Sequence, residues 1–293
     1  MLKGQRSSFV PICFCKRRGV NLTFVIRTIL AKMTASQTFV LHRAKWALFL
    51  LLLFFVGCKT VPITGRQKLS IFPESQVMSM SFQQYDQVIG EAQLSTNREQ
   101  VAMIKRVGTR IQKAVEEYLR STGHAEVLEG FAWEVNLIES DQVNAWCMPG
   151  GKVAFYTGIL PICQDETGVA VVMGHEVAHA IAGHGSERMS QQAVAQLGQQ
   201  AVSIATMNES AEMQAIYMAA LGLGAQYGAL LPFSRKHESE ADEMGLIFMA
   251  LAGYDPREAP AFWERMAAQG GQKPPEFMST HPSDDRRIRD LKA

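Results

Sequence analysis

The segment Gly174–His184 (GHEVAHAIAGH) carries three histidines and one glutamate among small and apolar residues. His175 and His179 are four residues apart, so a helix places both imidazoles on one face, one turn apart, where they can bind a single ion. Glu176 follows the first histidine and points beside that ion, where it can take a proton from a water on the metal. The residue types and their spacing therefore predict a metal site with an adjacent general base.

A catalytic zinc site has three protein ligands and one open position, which together polarise a peptide carbonyl and activate water. The H-E-x-x-H pattern supplies two ligands, so a third must lie elsewhere. In SRKHESEAD (234–242), Glu238 and Asp242 are again four residues apart, in a segment of helical character. Glu238 is predicted to complete the ligand set. Asp242 is predicted to accept a hydrogen bond from a ligand histidine and to fix its tautomer.

Other interpretations of this second segment stay open. Acidic residues on a helix often form a solvated face, although the apolar flanks GALLPF and MGLIFMALAGY argue against a fully exposed helix. Glu240 lies half a turn from Glu238 and is the alternative carboxylate ligand; otherwise it supports the site from behind or is exposed. Arg235, beside the ligand helix, is expected to pair with an acidic residue.

Three further histidines have competing roles. His281, in STHPSDD, is predicted either to stabilise the oxyanion or to occupy the open zinc position and silence the site. The alternative for His281 is a turn residue that helps to start the last helix. His184 lies five residues after His179, about 140° around a helix from the ligand face. His237 adjoins Glu238 but faces elsewhere, so both of these histidines are expected to be structural or at the surface.

An apolar run near the N-terminus indicates where the chain resides. Eleven apolar residues, Trp46–Val56, precede Gly57, a run that is short for a membrane span and typical of a signal-peptide core. The FVGC that follows resembles a bacterial lipobox, which predicts Cys58 as the lipid-bearing first residue of the mature protein. An uncleaved membrane anchor is the alternative. Lys59 favours the outer membrane over the inner one.

These signals divide the chain into four parts. Residues 1–32 are predicted to be an upstream extension from a misassigned start, because Met33 gives a signal peptide of normal length over residues 33–57. Residues 58–74 are predicted to form a lipidated tether. Residues 75–293 are predicted to form one folded catalytic domain, which is a usual domain size.

The folded region is predicted to be α+β, a mostly helical body with a small antiparallel sheet. Helices are expected over about 75–94 and 98–119 and through most of the chain after Asp165. Strands are expected in FAWEVNLIES (131–140) and on both sides of the turn Pro149–Gly151. Cys147 and Cys163 either form a disulfide or remain buried free thiols.

The strand just before the histidine segment is a candidate for substrate binding. An edge strand near a metal site can pair with an extended polypeptide backbone through main-chain hydrogen bonds, which give affinity with little sequence specificity. A plain core strand is the alternative. The residues concerned are Val153, Ala154, Phe155, Tyr156 and Thr157.

The composition argues against one class of partner. The 293 residues are 47% hydrophobic and include 29 basic and 28 acidic side chains, a formal net charge of +1. A nucleic-acid binder usually carries a strong basic excess, so no nucleic-acid partner is expected. No feature of the sequence indicates an oligomeric state.

Four segments in this order resemble the M48 family of zinc metallopeptidases: GHEVAHAIAGHGSERMS, PFSRKHESEADEMGL, AGYDPREAPAFWERM and STHPSDDRRIRDL. VPITGRQKLS and NAWCMPGGKVAFYTGIL are similar to the branch of bacterial lipoproteins related to the mitochondrial Oma1 protease. The resemblance covers nearly all of residues 58–293. It implies a gluzincin-type domain that binds one Zn²⁺ per chain through His175, His179 and Glu238, with Glu176 as general base and Asp242 as support.

The resemblance and the lipobox together imply a lipid-anchored zinc endopeptidase at the periplasmic face of the outer membrane of a Gram-negative bacterium. Its expected partners are unfolded or misassembled envelope proteins as substrates and the membrane, which the N-terminal lipid would contact. One alternative is a periplasmic chaperone or assembly factor for outer-membrane proteins with a silenced zinc site. A purely structural zinc lipoprotein is disfavoured, because a structural site has no use for Glu176.

Overall fold

The computed structural model describes residues 58–226, 231–269, 281 and 285–292. The predicted upstream extension (1–32) and signal peptide (33–57) lie outside the described residues. In the part that is described, no helix has both the length and the apolar character needed to cross a membrane.

The segment that follows Cys58 is folded, unlike the tether that was predicted for residues 58–74. Strands β1 (Cys58–Thr60) and β2 (Gln67–Leu69) form an antiparallel hairpin, which we call the N-terminal hairpin. Val61 in its loop is fully buried in the hydrophobic core. Lys68 is also buried, and its Nζ donates a 2.8 Å hydrogen bond to the carbonyl oxygen of Ala182. A Pro/Gly-containing sequence suggested a linker, but these contacts make it part of the domain.

Two long helices, α1 (Glu74–Glu91) and α2 (Arg98–Ser121), follow the hairpin and agree with the predicted ranges. Asn97 caps α2, because its side chain accepts hydrogen bonds from the backbone nitrogens of Glu99 and Gln100. The buried face of α2 has the three-to-four residue spacing of an amphipathic helix. It contributes Ile104, Val107, Ile111, Val115 and Leu119 to the core.

A three-stranded sheet contains β3 (Glu134–Ile138), β4 (Ala145–Met148) and β5 (Lys152–Tyr156) in the order β3-β5-β4. β4 and β5 form the predicted hairpin, but β3 and β5 are parallel, so the sheet is mixed and the prediction of an antiparallel sheet was wrong. β4 lies at the edge rather than between its two neighbours in sequence. Residue alternation reports which face is buried and carries no information on strand direction.

The predicted edge strand, Val153–Thr157, is the centre of this sheet. Val153 is paired with Val135 of β3 on one side and with Cys147 of β4 on the other, and Thr157 lies beyond the strand. Of the two alternatives left open by the sequence, the core strand is therefore the one observed, because both sides of β5 are occupied. Among the described residues, the edge of the sheet formed by β4 pairs with no further strand.

The rest of the described chain is helical, which confirms the α+β class. The α-helices are α3 (Leu160–Cys163), α4 (Glu166–Ala182), α5 (His184–Ala205), α6 (Ala211–Ala225), α7 (Leu231–Leu251), α8 (Ala259–Ala268) and α9 (Asp285–Lys292). Short 3₁₀ segments occur at Ala125–Leu128, Thr157–Ile159 and Pro256–Glu258.

Helix α4 carries the histidine motif, and both of its ends are fixed by local sequence. Asp165 caps the N-terminus by accepting hydrogen bonds from the backbone nitrogens of Thr167 and Gly168. Gly183 ends the helix in the left-handed conformation, with φ of 70°. α5 then begins at His184.

Helices α4 and α7 approach each other closely at a pair of glycines. A β-carbon placed on Gly174 would lie 2.8 Å from the carbonyl oxygen of Gly245. A β-carbon on Gly245 would lie 2.9 Å from the backbone nitrogen of His175. Only glycine permits this approach, which brings the histidine motif of α4 against the acidic segment of α7.

Candidate metal centre

Four buried side chains from α4, α7 and the segment before α9 place their ligand atoms together. The residues are His175, His179, Glu238 and His281, and one ligand atom from each lies within 4.8 Å of all the others. Nε2 of His175 lies 3.1 Å from Nε2 of His179 and 3.3 Å from Nδ1 of His281. Oε2 of Glu238 lies 3.3 Å from Nε2 of His175 and 3.2 Å from Nδ1 of His281.

These spacings fit a zinc ion. Bonds of about 2.0–2.1 Å at the tetrahedral angle put neighbouring ligand atoms about 3.3 Å apart. Five atom pairs of the cluster lie between 3.1 and 3.5 Å apart, and the whole set lies within 4.8 Å. Oε1 of Glu238 is buried and has no hydrogen-bond partner among the described residues, as expected of an oxygen that faces a cation. Imidazole and carboxylate donors also suit Zn²⁺.

Electrostatics favour a positive charge at the centre of the cluster. Burial alone would lower the pKa of His175, but hydrogen bonds and attraction from Asp242 and Glu238 raise it to about 9. Burial alone would raise the pKa of Glu238, but hydrogen bonds from His175 and His281 hold it well below its usual range. Burial and the neighbouring imidazoles lower the pKa of His179. The carboxylates thus stabilise positive charge beside them, and the lowered pKa of His179 favours its neutral imidazole, which can donate to a metal.

Glu176 lies beside the cluster and is not one of its ligand residues. Its carboxylate is buried, and Oε1 lies 3.4 Å from Nε2 of His281. Burial raises the pKa of Glu176. A carboxylate with a raised pKa next to a metal site is suited to accept and return a proton.

Asp242 holds the far side of His175, as the sequence predicted for a supporting carboxylate. Its Oδ1 lies 3.0 Å from Nδ1 of His175. Nε and Nη2 of Arg287 each donate a 2.7 Å hydrogen bond to Asp242, and Nη1 lies 3.1 Å from Oε2 of Glu238. The guanidinium also lies 4.3 Å from the ring centre of Trp263.

Arg287 is a buried contact of the candidate site that the sequence did not reveal. It belongs to the charged run DDRRIRDL, which reads as a solvated helix, yet it is buried against two carboxylates of the site. Arg235, for which an acidic partner was expected, is exposed, and no ion pair of Arg235 occurs among the described residues. The prediction that Glu238 and Asp242 lie in the site implied that a cation should lie near them, but nothing in the sequence identified Arg287 as that cation.

His184 contacts a ligand residue, although helix geometry placed it off the ligand face. Its Nδ1 lies 2.8 Å from Nδ1 of His179, and its Nε2 lies 2.8 Å from Oε2 of Glu240. The left-handed Gly183 changes the chain direction between the two histidines, so the 140° extrapolation along one helix does not apply. Glu240 is therefore a supporting residue, away from the ligand cluster.

A second buried group surrounds His184. The His237 ring stacks on the His184 ring with centroids 4.2 Å apart, and its Nε2 lies 2.9 Å from Oε2 of Glu187. Arg66 of the N-terminal hairpin bonds both carboxylates, with 2.8 Å contacts to Glu187 and to Glu240. His237 is thus structural and buried, which is one of the two roles expected for it.

A cleft opens onto the cluster beside β4. It is lined by Ala145, Trp146 and Cys147 of β4, by Glu176 and His179 of α4, and by Arg188 of α5. Tyr156 is the member of the predicted strand Val153–Thr157 that reaches this cleft. The backbone nitrogen of Tyr156 bonds the carbonyl oxygen of Asn144. By the alternation of antiparallel pairing, the main-chain groups of Ala145 and Cys147 then point away from β5. The backbone nitrogen of Ala145 donates a 2.9 Å hydrogen bond to Oδ1 of Asn144.

Cys147 and Cys163 are both free thiols, so of the two states left open by the sequence the disulfide is not formed. Cys163 is buried and Cys147 is partly buried. Cys147 belongs to β4 and Cys163 ends α3.

Comparison with known proteins gives the same assignment as the geometry. Residues 105–293 match Peptidase family M48. The chain is 33% identical over 244 residues to the mitochondrial metalloendopeptidase OMA1 of Schizosaccharomyces pombe, covering 81% of this chain and 66% of that protein. It is 28% identical over 263 residues to the mitochondrial metalloendopeptidase OMA1 of Homo sapiens, covering 85% and 49%.

A bacterial relative is more distant. The chain is 26% identical over 248 residues to the beta-barrel assembly-enhancing protease of Escherichia coli (strain K12), covering 82% of this chain and 48% of that protein. The chain thus spans roughly half to two thirds of the length of these relatives. The family match includes every residue of the metal cluster and Glu176. The chain therefore belongs to peptidase family M48.

Proposed function

We propose that this chain is a zinc-dependent endopeptidase. The observation that carries the proposal is the buried cluster of His175, His179, Glu238 and His281 with the carboxylate of Glu176 beside it. When bound, zinc supplies Lewis acidity, which polarises a peptide carbonyl and makes water more acidic. A structural zinc site needs ligands only, so it would leave the buried Glu176 without a role.

Under this proposal Glu176 transfers the proton, while Asp242 and Arg287 position the groups of the site. Glu176 takes a proton from the attacking water and returns it to the amide nitrogen as the carbon–nitrogen bond breaks. Asp242 keeps the proton of His175 on Nδ1, so that Nε2 remains a donor to the metal. Arg287 neutralises Asp242 and Glu238 and fixes their positions.

The proposed substrates are unfolded or misassembled proteins. β4 lines the cleft beside Glu176 and His179, and the outward carbonyl oxygen of Ala145 and main-chain groups of Cys147 suit an extended polypeptide. The backbone nitrogen of Ala145 would exchange its hydrogen bond to Asn144 for one to the substrate. Pairing through backbone groups requires an unfolded segment and reads little of its side-chain sequence. β4 takes the role that the sequence suggested for Val153–Thr157.

The proposed location is the periplasmic face of the outer membrane, with a lipid on Cys58. The apolar run before Cys58, the FVGC motif and Lys59 support it. The relative from Escherichia coli is named a beta-barrel assembly-enhancing protease, and such a name suits a role in the quality control of envelope proteins. Under this proposal the protein contacts the membrane through its lipid and the substrates through β4.

A second candidate is an assembly factor whose zinc site is silenced. Nδ1 of His281 lies 3.3 Å from Nε2 of His175 and 3.2 Å from Oε2 of Glu238, which places it among the ligand atoms. A fourth protein ligand would occupy the position that a peptide carbonyl or water needs. The same contact also suits an endopeptidase with a closed resting state, in which His281 moves away when substrate binds.

Zinc content and casein cleavage test the proposal. We expect a soluble form beginning at Lys59 to bind one zinc per chain and to cleave casein, and Glu176→Gln to bind zinc without cleaving. Glu243→Gln, an exposed position on the same α7 that carries Glu238, is the matched control and should cleave normally. Equal cleavage by wild type and Glu176→Gln would overturn the mechanism. Zinc binding without cleavage by wild type would favour the assembly factor.

A further inference from the structure

The two histidines of α4 in the cluster differ in the group that contacts Nδ1, the ring nitrogen on the side away from the cluster. Nδ1 of His175 meets a carboxylate directly, at 3.0 Å from Asp242. Nδ1 of His179 meets another imidazole, at 2.8 Å from Nδ1 of His184. Metal-binding histidines in proteins usually donate their second N–H to a carboxylate, a carbonyl oxygen or water. His179 departs from this pattern, because its partner is an imidazole. His184 takes no part in the proton transfer by Glu176.

The protonation of this histidine pair follows from the metal site. When Nε2 of His179 donates its lone pair to a metal, the proton of the neutral ring is on Nδ1. Nδ1 of His184 must then accept the hydrogen bond, so the proton of the His184 ring is on Nε2. That nitrogen lies 2.8 Å from Oε2 of Glu240, which accepts it. One tautomer of each ring satisfies every contact.

Glu240 is itself held by the N-terminal hairpin. Nε of Arg66 lies 2.8 Å from Oε2 of Glu240, and the hydroxyl of Thr64 donates to Oε1. Both residues belong to the VPITGRQ segment, which the metal site alone does not explain. Arg66 also bonds Glu187 through both terminal nitrogens, at 3.1 and 2.8 Å. The hairpin thus fixes the carboxylate from a part of the chain far from the metal ligands.

We propose that His184 and Glu240 position the ligand His179 through a chain of hydrogen bonds that Arg66 and Thr64 anchor in the N-terminal hairpin. This inference rests on the proposed zinc site. His184 and Glu240 are positioning residues, because neither belongs to the ligand cluster and both act through His179. The arrangement gives His179 the carboxylate support that His175 receives from Asp242, with one imidazole inserted between.

Isosteric variants of His184 separate this role from simple packing. The amide oxygen of Asn occupies nearly the position of imidazole Nδ1, and the amide of Gln occupies nearly that of Nε2. His184→Asn therefore keeps an acceptor for His179, whereas His184→Gln keeps only a donor to Glu240. If His184 merely filled space, the two variants would not differ in this order.

Zinc affinity of the full chain, purified in detergent, tests the proposal by competition with a chromophoric chelator. We expect Glu240→Gln and His184→Gln to weaken zinc binding by about tenfold or more, and His184→Asn by clearly less. Glu243→Gln, exposed on the same helix, should bind as wild type does. Circular dichroism of the zinc-free proteins identifies any variant that fails to fold.

Histidine tautomers of the zinc-loaded wild type give a second test that needs no variant. Nitrogen-15 NMR of histidine-labelled protein should show a protonated Nδ1 on His179 and an unprotonated Nδ1 on His184, coupled across the hydrogen bond. A protonated Nδ1 on His184, or zinc affinities of Glu240→Gln and His184→Gln within twofold of wild type, would overturn the inference alone. A wild type that binds no zinc would overturn the proposed function as well.

Discussion

Gly174 of α4 and Gly245 of α7 meet so closely that a β-carbon on either would touch the backbone of the other helix. The distances would be 2.8 Å from Gly174 to the carbonyl oxygen of Gly245 and 2.9 Å from Gly245 to the backbone nitrogen of His175. The second contact involves His175, a member of the candidate metal cluster. The spacing between His175 and Glu238 therefore depends on the absence of two side chains.

We expect Gly245→Ala to push the two helices apart. Overpacking of this kind costs about 1–3 kcal/mol in the free energy of unfolding, and it should weaken zinc binding because Glu238 moves relative to His175. Gly198→Ala in α5 is the matched control, since nothing lies within 4 Å of its added β-carbon. That control should gain about 0.5–1 kcal/mol from helix propensity. Urea unfolding and zinc titration measure both effects; a Gly245→Ala protein with wild-type zinc affinity would contradict the argument.

The four-residue spacings let the sequence predict much of the site. Each of the pairs His175/His179 and Glu238/Asp242 lies on one helix, where residues four apart share a face, so the pairing survives any change in tertiary structure. The α+β class and the hairpin around Pro149–Gly151 were also predictable from local patterns.

The features that the sequence did not predict depend on how the helices and strands are arranged in space. β5 is central because of the order of the strands in the sheet. The residue pattern within Val153–Thr157 gives no information on that order. His184 lies outside the ligand cluster, as predicted, but its contact with His179 was not foreseen. Gly183 ends α4, so the next residue starts a helix in a new direction. Arg287 was missed because a charged run near the end of the chain shows nothing of its burial against Asp242.

The two roles considered for His281 predict opposite effects of its removal on cleavage. We expect His281→Ala to raise kcat/KM on the order of tenfold, about 1.4 kcal/mol in the barrier, because it opens the fourth position of the cluster. Zinc affinity should fall with the loss of a donor. If His281 instead stabilised the oxyanion, its removal would lower kcat by about 10²–10³ with zinc retained. Casein cleavage together with zinc content distinguishes the two results.

The free thiols of Cys147 and Cys163 are expected to react slowly with thiol reagents in the native state. Burial raises the pKa of Cys163 and of Cys147, which suppresses the reactive thiolate. In a chain beginning at Lys59 these are the two remaining cysteines. We expect both to react quickly with Ellman's reagent in denaturant and slowly in native buffer. No reactive thiol in denaturant without a reductant would show that the two cysteines form a disulfide.

The contact of Glu187 with Arg66 links the acid stability of the protein to the N-terminal hairpin. Burial would raise the pKa of Glu187, but hydrogen bonds from His237 and Arg66 outweigh it and lower the pKa to about 2. A carboxyl group with a lowered pKa stabilises the fold above its unfolded value, near 4.5, and this stability is lost as the pH falls towards 2.

We expect Arg66→Met to lose about 3–5 kcal/mol at pH 7, because it leaves two buried carboxylates without their cation. The difference from wild type should narrow below pH 4.5, where protonation relieves the unpaired charges in the variant first. Urea unfolding of the zinc-free proteins from pH 7 to pH 3 measures this, with the exposed Arg235→Met as control. A difference that stayed constant with pH would mean that Arg66 acts by packing and not by its charge.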